Sequence, residues 1–137
     1  MKIAAIKRTV TGRFVKLLFH KQDKRNMVLE NFQTRCIREK EIHEIVTTDQ
    51  KAYEPGQLVG RIGFLGFAEM DTGGVIQKGD RVYINETYLG VVAGFDACHF
   101  PNHYNIIIQT DLLLSATDID LSVEEEIRFV SSGYRTI

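Results

Sequence analysis

The segment "GFDACHFPNHYN", residues 94–105, places Asp96, Cys98, His99, Asn102, His103 and Asn105 within twelve positions. Cys98, His99 and His103 offer soft and borderline donors suited to zinc or another transition ion. Asp96 can act as a carboxylate ligand, or as the acceptor that orients a histidine. An imidazole that titrates near neutrality is equally suited to proton transfer. The same polar density also has a structural explanation. Asp96, Asn102 and Asn105 can satisfy backbone N–H groups of a tight loop through Asx-type bonds. Pro101 disfavours a helical Phe100, which weakens any i, i+4 helical zinc motif, and neither HExxH nor CxxC occurs. A nucleophilic Cys98 would need His103 or His43 as its base, because adjacent His99 points to the opposite side of an extended chain.

Two further places carry candidates. His43, with Glu44 beside it, lies on "EIHEIV" and completes a cluster with His99 or His103 if that strand runs beside the loop. Glu69 interrupts the apolar run "GFAEM", so it faces either solvent at a rim or a pocket. Asp80 in "KGDRV" reads as turn chemistry.

These residues must be positioned by strands. Val, Ile, Thr, Tyr and Phe recur in short runs between turn residues, and almost no stretch sustains helical periodicity. "KIAAIKRTV" and "RFVKLLF" read as strands about Thr11-Gly12, with Val15, Leu17 and Phe19 on one face. "IHEIVTT", "RVYINETYLGVVAGF" (a hairpin) and the very apolar "YNIIIQT" follow, the last as a central strand. "EPGQ" is a turn in which Gly56 takes the positive φ. Gly60, Gly63 and Gly66, three apart in "LVGRIGFLGFAEM", do not match a phosphate loop and mark close backbone approach instead. "DLLLSATDIDL" suggests a helical turn or two. The pattern predicts an all-β fold, a small closed or partly open β-barrel with at most one or two short helices; a sandwich is the second choice. Residues 1–137 read as one domain, with 131–137 as a loose tail.

Composition narrows the function classes. A 137-residue chain with 44% hydrophobic and 26% charged residues is that of an ordinary globular protein. "MKIAAIKRTV" lacks a secretory apolar run and no stretch spans a membrane, so a cytoplasmic protein without membrane association is expected. Two cysteines, Cys36 and Cys98, are too few for a disulfide framework. Residues 1–40 hold eleven Lys/Arg and three Asp/Glu (+8), and residues 41–137 hold six and fifteen (−9), which together give the net −1. The basic residues are spread through strand-like sequence, so pairing with acidic strands, or between subunits of a homo-oligomer, is favoured over nucleic-acid binding.

"RIGFLGFAE" with "GFDACHFPNHYNIII" resembles a small bacterial family of unknown function, over most of the chain. The order of "TVTG", "RCIREKEIHEI", "KGDRVYI" and "VVAGF" is similar to the sorbitol/glucitol-specific IIA component of the phosphotransferase system. That resemblance implies a small closed barrel and a phosphoryl group carried on histidine, with His43 in the corresponding region. The family's Cys-x-x-His-x-His element is replaced here by Cys36 and His43, seven apart, without a second histidine.

The expected function is a small-molecule-binding barrel with its pocket at the 94–105 loop. Asp96, His99, Asn102, His103, Asn105, His43 and Glu69 are its candidate ligand-binding residues, and no cofactor is implied. A histidine-dependent, metal-assisted enzyme and a phosphocarrier are the alternatives.

Overall fold

Short β-branched and aromatic runs, broken by Gly, Asn and Asp turns, form fourteen strands and no helix among the described residues. The computed structural model describes residues 3–52, 54–132 and 134–136. The strands are β1 (Ile3–Ala5), β2 (Val10–Leu17), β3 (Lys21–Gln22), β4 (Met27–Val28), β5 (Thr34–Ile37), β6 (Ile42–Thr48) and β7 (Leu58–Val59). Then come β8 (Ile62–Met70), β9 (Gly74–Gln77), β10 (Arg81–Ile84), β11 (Thr87–Asp96), β12 (Asn105–Gln109), β13 (Glu126–Val130) and β14 (Tyr134–Thr136).

Seven strands pair in a ring, β2-β13-β10-β11-β12-β6-β8, which returns from β8 to β2. The ring is barrel-like, as the strand pattern predicts. All its pairings are antiparallel except β12 with β6, which run parallel. β3 extends β8 beside β2, and β1–β14, β4–β7 and β5–β9 are separate ribbons. Residues 134–136 of the expected loose tail thus meet β1 in a ribbon, while residues 133 and 137 lie outside the described residues.

Side chains alternate across each strand, and two cores result. Phe14, Ile45, Leu65, Phe95, Ile106 and Ile108 face the interior. Met27, Val46, Val59, Phe64, Ala93 and Ile107 form a second core on the outer face, where β4 and β7 contribute Met27 and Val59. This double burial explains why "NIIIQ" is almost wholly apolar, and it makes β12 central, as expected.

Several local expectations change. β2 runs unbroken through Gly12, and its inward residues are Val10, Gly12 and Phe14, while Val15 and Phe19 are exposed. A register shift between Phe14 and Lys16 reverses the alternation there, which period-two reading from Val15 onward cannot detect. "DLLLSATDIDL" forms turns and no helical segment: Asp118 accepts the Ser115 N–H at 2.8 Å and closes them locally. Lys21 and the Ser115 N–H draw the exposed Asp118 carboxyl down to about 2, the backbone bond being the stronger cause. Three ion pairs, Lys7–Asp80, Arg13–Asp71 and Lys21–Asp118, join the basic N-terminal part to later acids. Asp80 also accepts the Gln77 N–H at 2.8 Å, the turn role read from the sequence. No helix among the described residues is long and apolar enough to cross a membrane.

The segment after β12 is tied down by buried Thr47, whose hydroxyl donates to the Leu114 carbonyl (2.7 Å) and accepts the Leu114 N–H (3.1 Å). Thr47→Val keeps the shape and removes both bonds. It is expected to cost ~2 kcal/mol, read as a lower denaturant midpoint at unchanged m-value.

Candidate functional site

One end of the ring, where β6 and β12 start and β11 finishes, gathers most of the polar candidates. Asp96 pairs with Asn105, Asn105 with Glu44, and Glu44 with Phe67, so the four form one row across β11, β12, β6 and β8. Their chain neighbours Phe95, Ile106, Ile45 and Ala68 belong to the interior core, so the row lies on the outer face. Residues 97–104 connect the row's β11 and β12 members through turns, with Asn102 N–H bonded to the His99 carbonyl at 2.9 Å. The Tyr104 carbonyl accepts the Glu44 N–H at 3.1 Å, which ties this loop to β6.

Asp96 is the structural anchor. Its carboxylate accepts the Val28 N–H (2.7 Å), the Cys98 N–H (3.0 Å) and the Asn105 amide (2.9 Å). Burial works against its charge, but these bonds and the Cys98 thiol prevail and hold the carboxyl below its usual 3.8. The Asx reading therefore holds for Asp96, while Asn102 and Asn105 spend their amides on other side chains. Burial and the neighbouring Asp96 push the Cys98 thiol above 9.0, against the pull of Arg25, which favours the thiol over the nucleophilic thiolate.

Glu44, His99 and His103 converge, with one ligand-capable atom from each within 4.8 Å of the others. His103 Nε2 lies 3.4 Å from Glu44 Oε1, and His103 Nδ1 lies 2.6 Å from Asn102 Oδ1. An amide oxygen only accepts, so Nδ1 carries the ring proton and Nε2 presents a lone pair to Glu44. Burial raises the Glu44 carboxyl above 4.5, opposed by the nearby His99, Arg25 and His20 side chains. Burial, then His99 and His43, lower His103 below 6.5. Both shifts favour the neutral forms, and the 3.4 Å contact sets a carboxyl oxygen of Glu44 against the Nε2 lone pair of His103. The His99 and His103 rings stand 5.0 Å apart, and Phe67 meets His103 edge-on at 5.2 Å.

His43 stands apart from that triad. Its Nδ1 accepts the Tyr104 N–H at 3.0 Å and its Nε2 faces Glu41 Oε1 at 3.1 Å. It lines a cleft of about 310 Å³ with Cys36, Glu41, Ile42, Phe100, Pro101, Asn102, His103 and Tyr104. Of the residues singled out from sequence, His43, Asn102 and His103 line this cleft, whereas Asp96, His99, Asn105 and Glu69 do not. Glu69 is half-buried one row away, between Arg13 and Ile42. Sequence reasoning set Glu44 beside His43 without a role, and it missed Arg25 and Arg35. Arg25 donates to Cys98 Sγ at 3.3 Å, and the Arg35 guanidinium covers Phe32 (3.6 Å) and Tyr104 (4.5 Å). Glu44 was readable, since a charged residue at alternate spacing from Val46 shares its face; the arginines carry no local signal.

No curated protein and no solved structure matches this chain, and the likeness to the sorbitol/glucitol-specific IIA component is not shown. A family model does match, over residues 4–130, nearly the whole length and including every residue of the row, the triad and the cleft. The chain belongs to that family, a family of unknown function (DUF6917).

Proposed function

We propose that this protein binds a small, polar, ring-containing molecule in the cleft between residues 100–104 and the start of β6. The observation that carries the reading is the composition of that one cavity. About 310 Å³ joins the aromatic surfaces of Phe100 and Tyr104 to the polar groups of Glu41, His43, Asn102 and His103. Ligand sites combine apolar walls with a few converging polar groups in this way, and the volume is at the small end of their range. A second cleft of about 270 Å³, where Tyr88 and Leu89 meet Asn85, Thr87, Asp120 and Glu125, has no histidine and a single aromatic wall. Two exposed, unpaired cysteines fit a reducing compartment such as the cytoplasm.

A thermal-shift screen of small heteroaromatic and hydroxylated compounds tests the reading. Stabilising hits are expected that weaken at least about tenfold in both Phe100→Ala and His103→Ala, a loss of ~1.4 kcal/mol each. Hits that ignore both substitutions would move the ligand site elsewhere. A histidine-dependent reaction is the second reading, favoured by the Glu44–His103 contact at the edge of the same cleft. The phosphocarrier reading gains no support from His43, because both its ring nitrogens are engaged.

A further inference from the structure

We propose that Glu44, His99 and His103 bind a divalent first-row transition metal ion, with zinc as the first choice. The inference goes beyond the cleft reading and does not rest on it, because only His103 belongs to both places.

The donor set is two imidazoles and one carboxylate, the combination that leaves zinc with an open fourth position. Distance supports it. With metal–ligand bonds of about 2.0–2.2 Å, neighbouring donors around a tetrahedral centre lie roughly 3.3–3.5 Å apart. His103 Nε2 and Glu44 Oε1 are already 3.4 Å apart, and the His99 donor falls within 4.8 Å of both. His99 is exposed on the 97–104 connection, so it is the ligand with freedom to close the remaining gap.

Orientation supports it independently. The Asn102 oxygen holds His103 Nδ1 at 2.6 Å and turns the Nε2 lone pair onto a carboxyl oxygen. Two acceptors aimed at each other need a positive centre between them, either a proton or a metal ion. A hydrogen-bonded partner on the far nitrogen is the usual companion of a metal-bound histidine. Glu44 is buried and fixed in β6, whereas His99 faces solvent, which gives an ion an entry side and room for a water. Any proton held between Glu44 and His103 is released to solvent as the cation takes its place.

The test uses the full chain, stripped with a chelator and titrated with Zn²⁺ against a chromophoric competitor near neutral pH, and with Co²⁺ followed by its visible absorption. One equivalent is expected to bind. His99→Ala, His103→Ala and Glu44→Gln should each weaken binding by about 100-fold or more, and Asn102→Ala, which removes a positioning residue, by about tenfold. Glu69→Gln, which alters a carboxylate outside the triad, should leave it unchanged. Circular dichroism of each variant separates loss of ligand from loss of fold, and exposed His99 makes His99→Ala the decisive one. No stoichiometric binding, or binding undiminished in a folded His99→Ala variant, overturns the proposal. Because His99 is outside the cleft, that variant should lose zinc and keep the small-molecule hits. The two readings therefore fail separately.

Discussion

Asp96→Ala is expected to destabilise the protein by ~3 kcal/mol or more and to lower its melting temperature by roughly 10 °C. The carboxylate is 2% exposed and receives three donors, from Val28, Cys98 and Asn105. Alanine leaves all three without their acceptor, at about 1–3 kcal/mol for each group that water cannot reach. Asp96→Asn keeps one oxygen but points an amide N–H₂ at one of the donors, so about half the loss is expected. Acid titration supplies an independent check. The folded carboxyl titrates below 3.8 and the unfolded one near about 3.9. Its stabilisation is therefore fully present above the unfolded value and is lost as pH falls through the lower, folded value. The gap between wild type and Asp96→Asn in denaturant midpoint should stay constant from neutrality to about pH 5 and narrow below about pH 4. A gap that widens in acid would show that the carboxylate is not held as described.

Gly66→Ala is expected to abolish cooperative folding, at a cost above ~4 kcal/mol. Gly66 has φ +146, a region that residues with a side chain rarely enter. A methyl there would sit 2.1 Å from the Lys16 carbonyl oxygen and 3.0 Å from the Leu17 Cα. Both belong to β2, and Leu17 is the ladder partner of Gly66, so the clash falls where β8 meets β2 and the ring closes. Relief requires those strands to part. Gly56→Ala is the matched control. It has φ +82 in the 54–57 turn with nothing within 4 Å, so it should cost only the ~1–2 kcal/mol of left-handed backbone. Soluble yield and the melting transition distinguish the two; a Gly66→Ala protein melting within a few degrees of wild type would contradict the closure at this point.

The three-residue spacing of Gly60, Gly63 and Gly66 was thus legible as backbone proximity. Gly63 and Gly66 owe their identity to the carbonyls of Leu114 and Lys16, respectively. The strands around "IHEIV", "RVYI" and "NIIIQ" were legible for a related reason: their turns and apolar runs are local properties. Register was not. Period two put Val15, Leu17 and Phe19 together on one face, and with the shift between Phe14 and Lys16 both Val15 and Phe19 are exposed. The site divides the same way. His99, His103 and Asn102 stand out in a short polar segment, but Glu44 becomes their neighbour only through β12–β6 pairing, 59 residues away from His103 in sequence. His43, adjacent to Glu44, goes to the other face and is tied to Tyr104, a consequence of alternation that no motif records.

The parallel pairing of β6 with β12 has a further consequence for assembly. Glu44 is supplied by the first half of the chain and both imidazoles of the triad by the second, with the whole β7–β11 excursion between them. Contacts this distant in sequence form only after loop-closure entropy has been overcome, which places them late in folding. The second half alone carries two of the three donors, so only the completed ring presents all three together. Bound ligand should accordingly raise the midpoint of global unfolding by mass action. Residues 1–70 and 71–137, expressed as two separate polypeptides, should recover binding only when mixed.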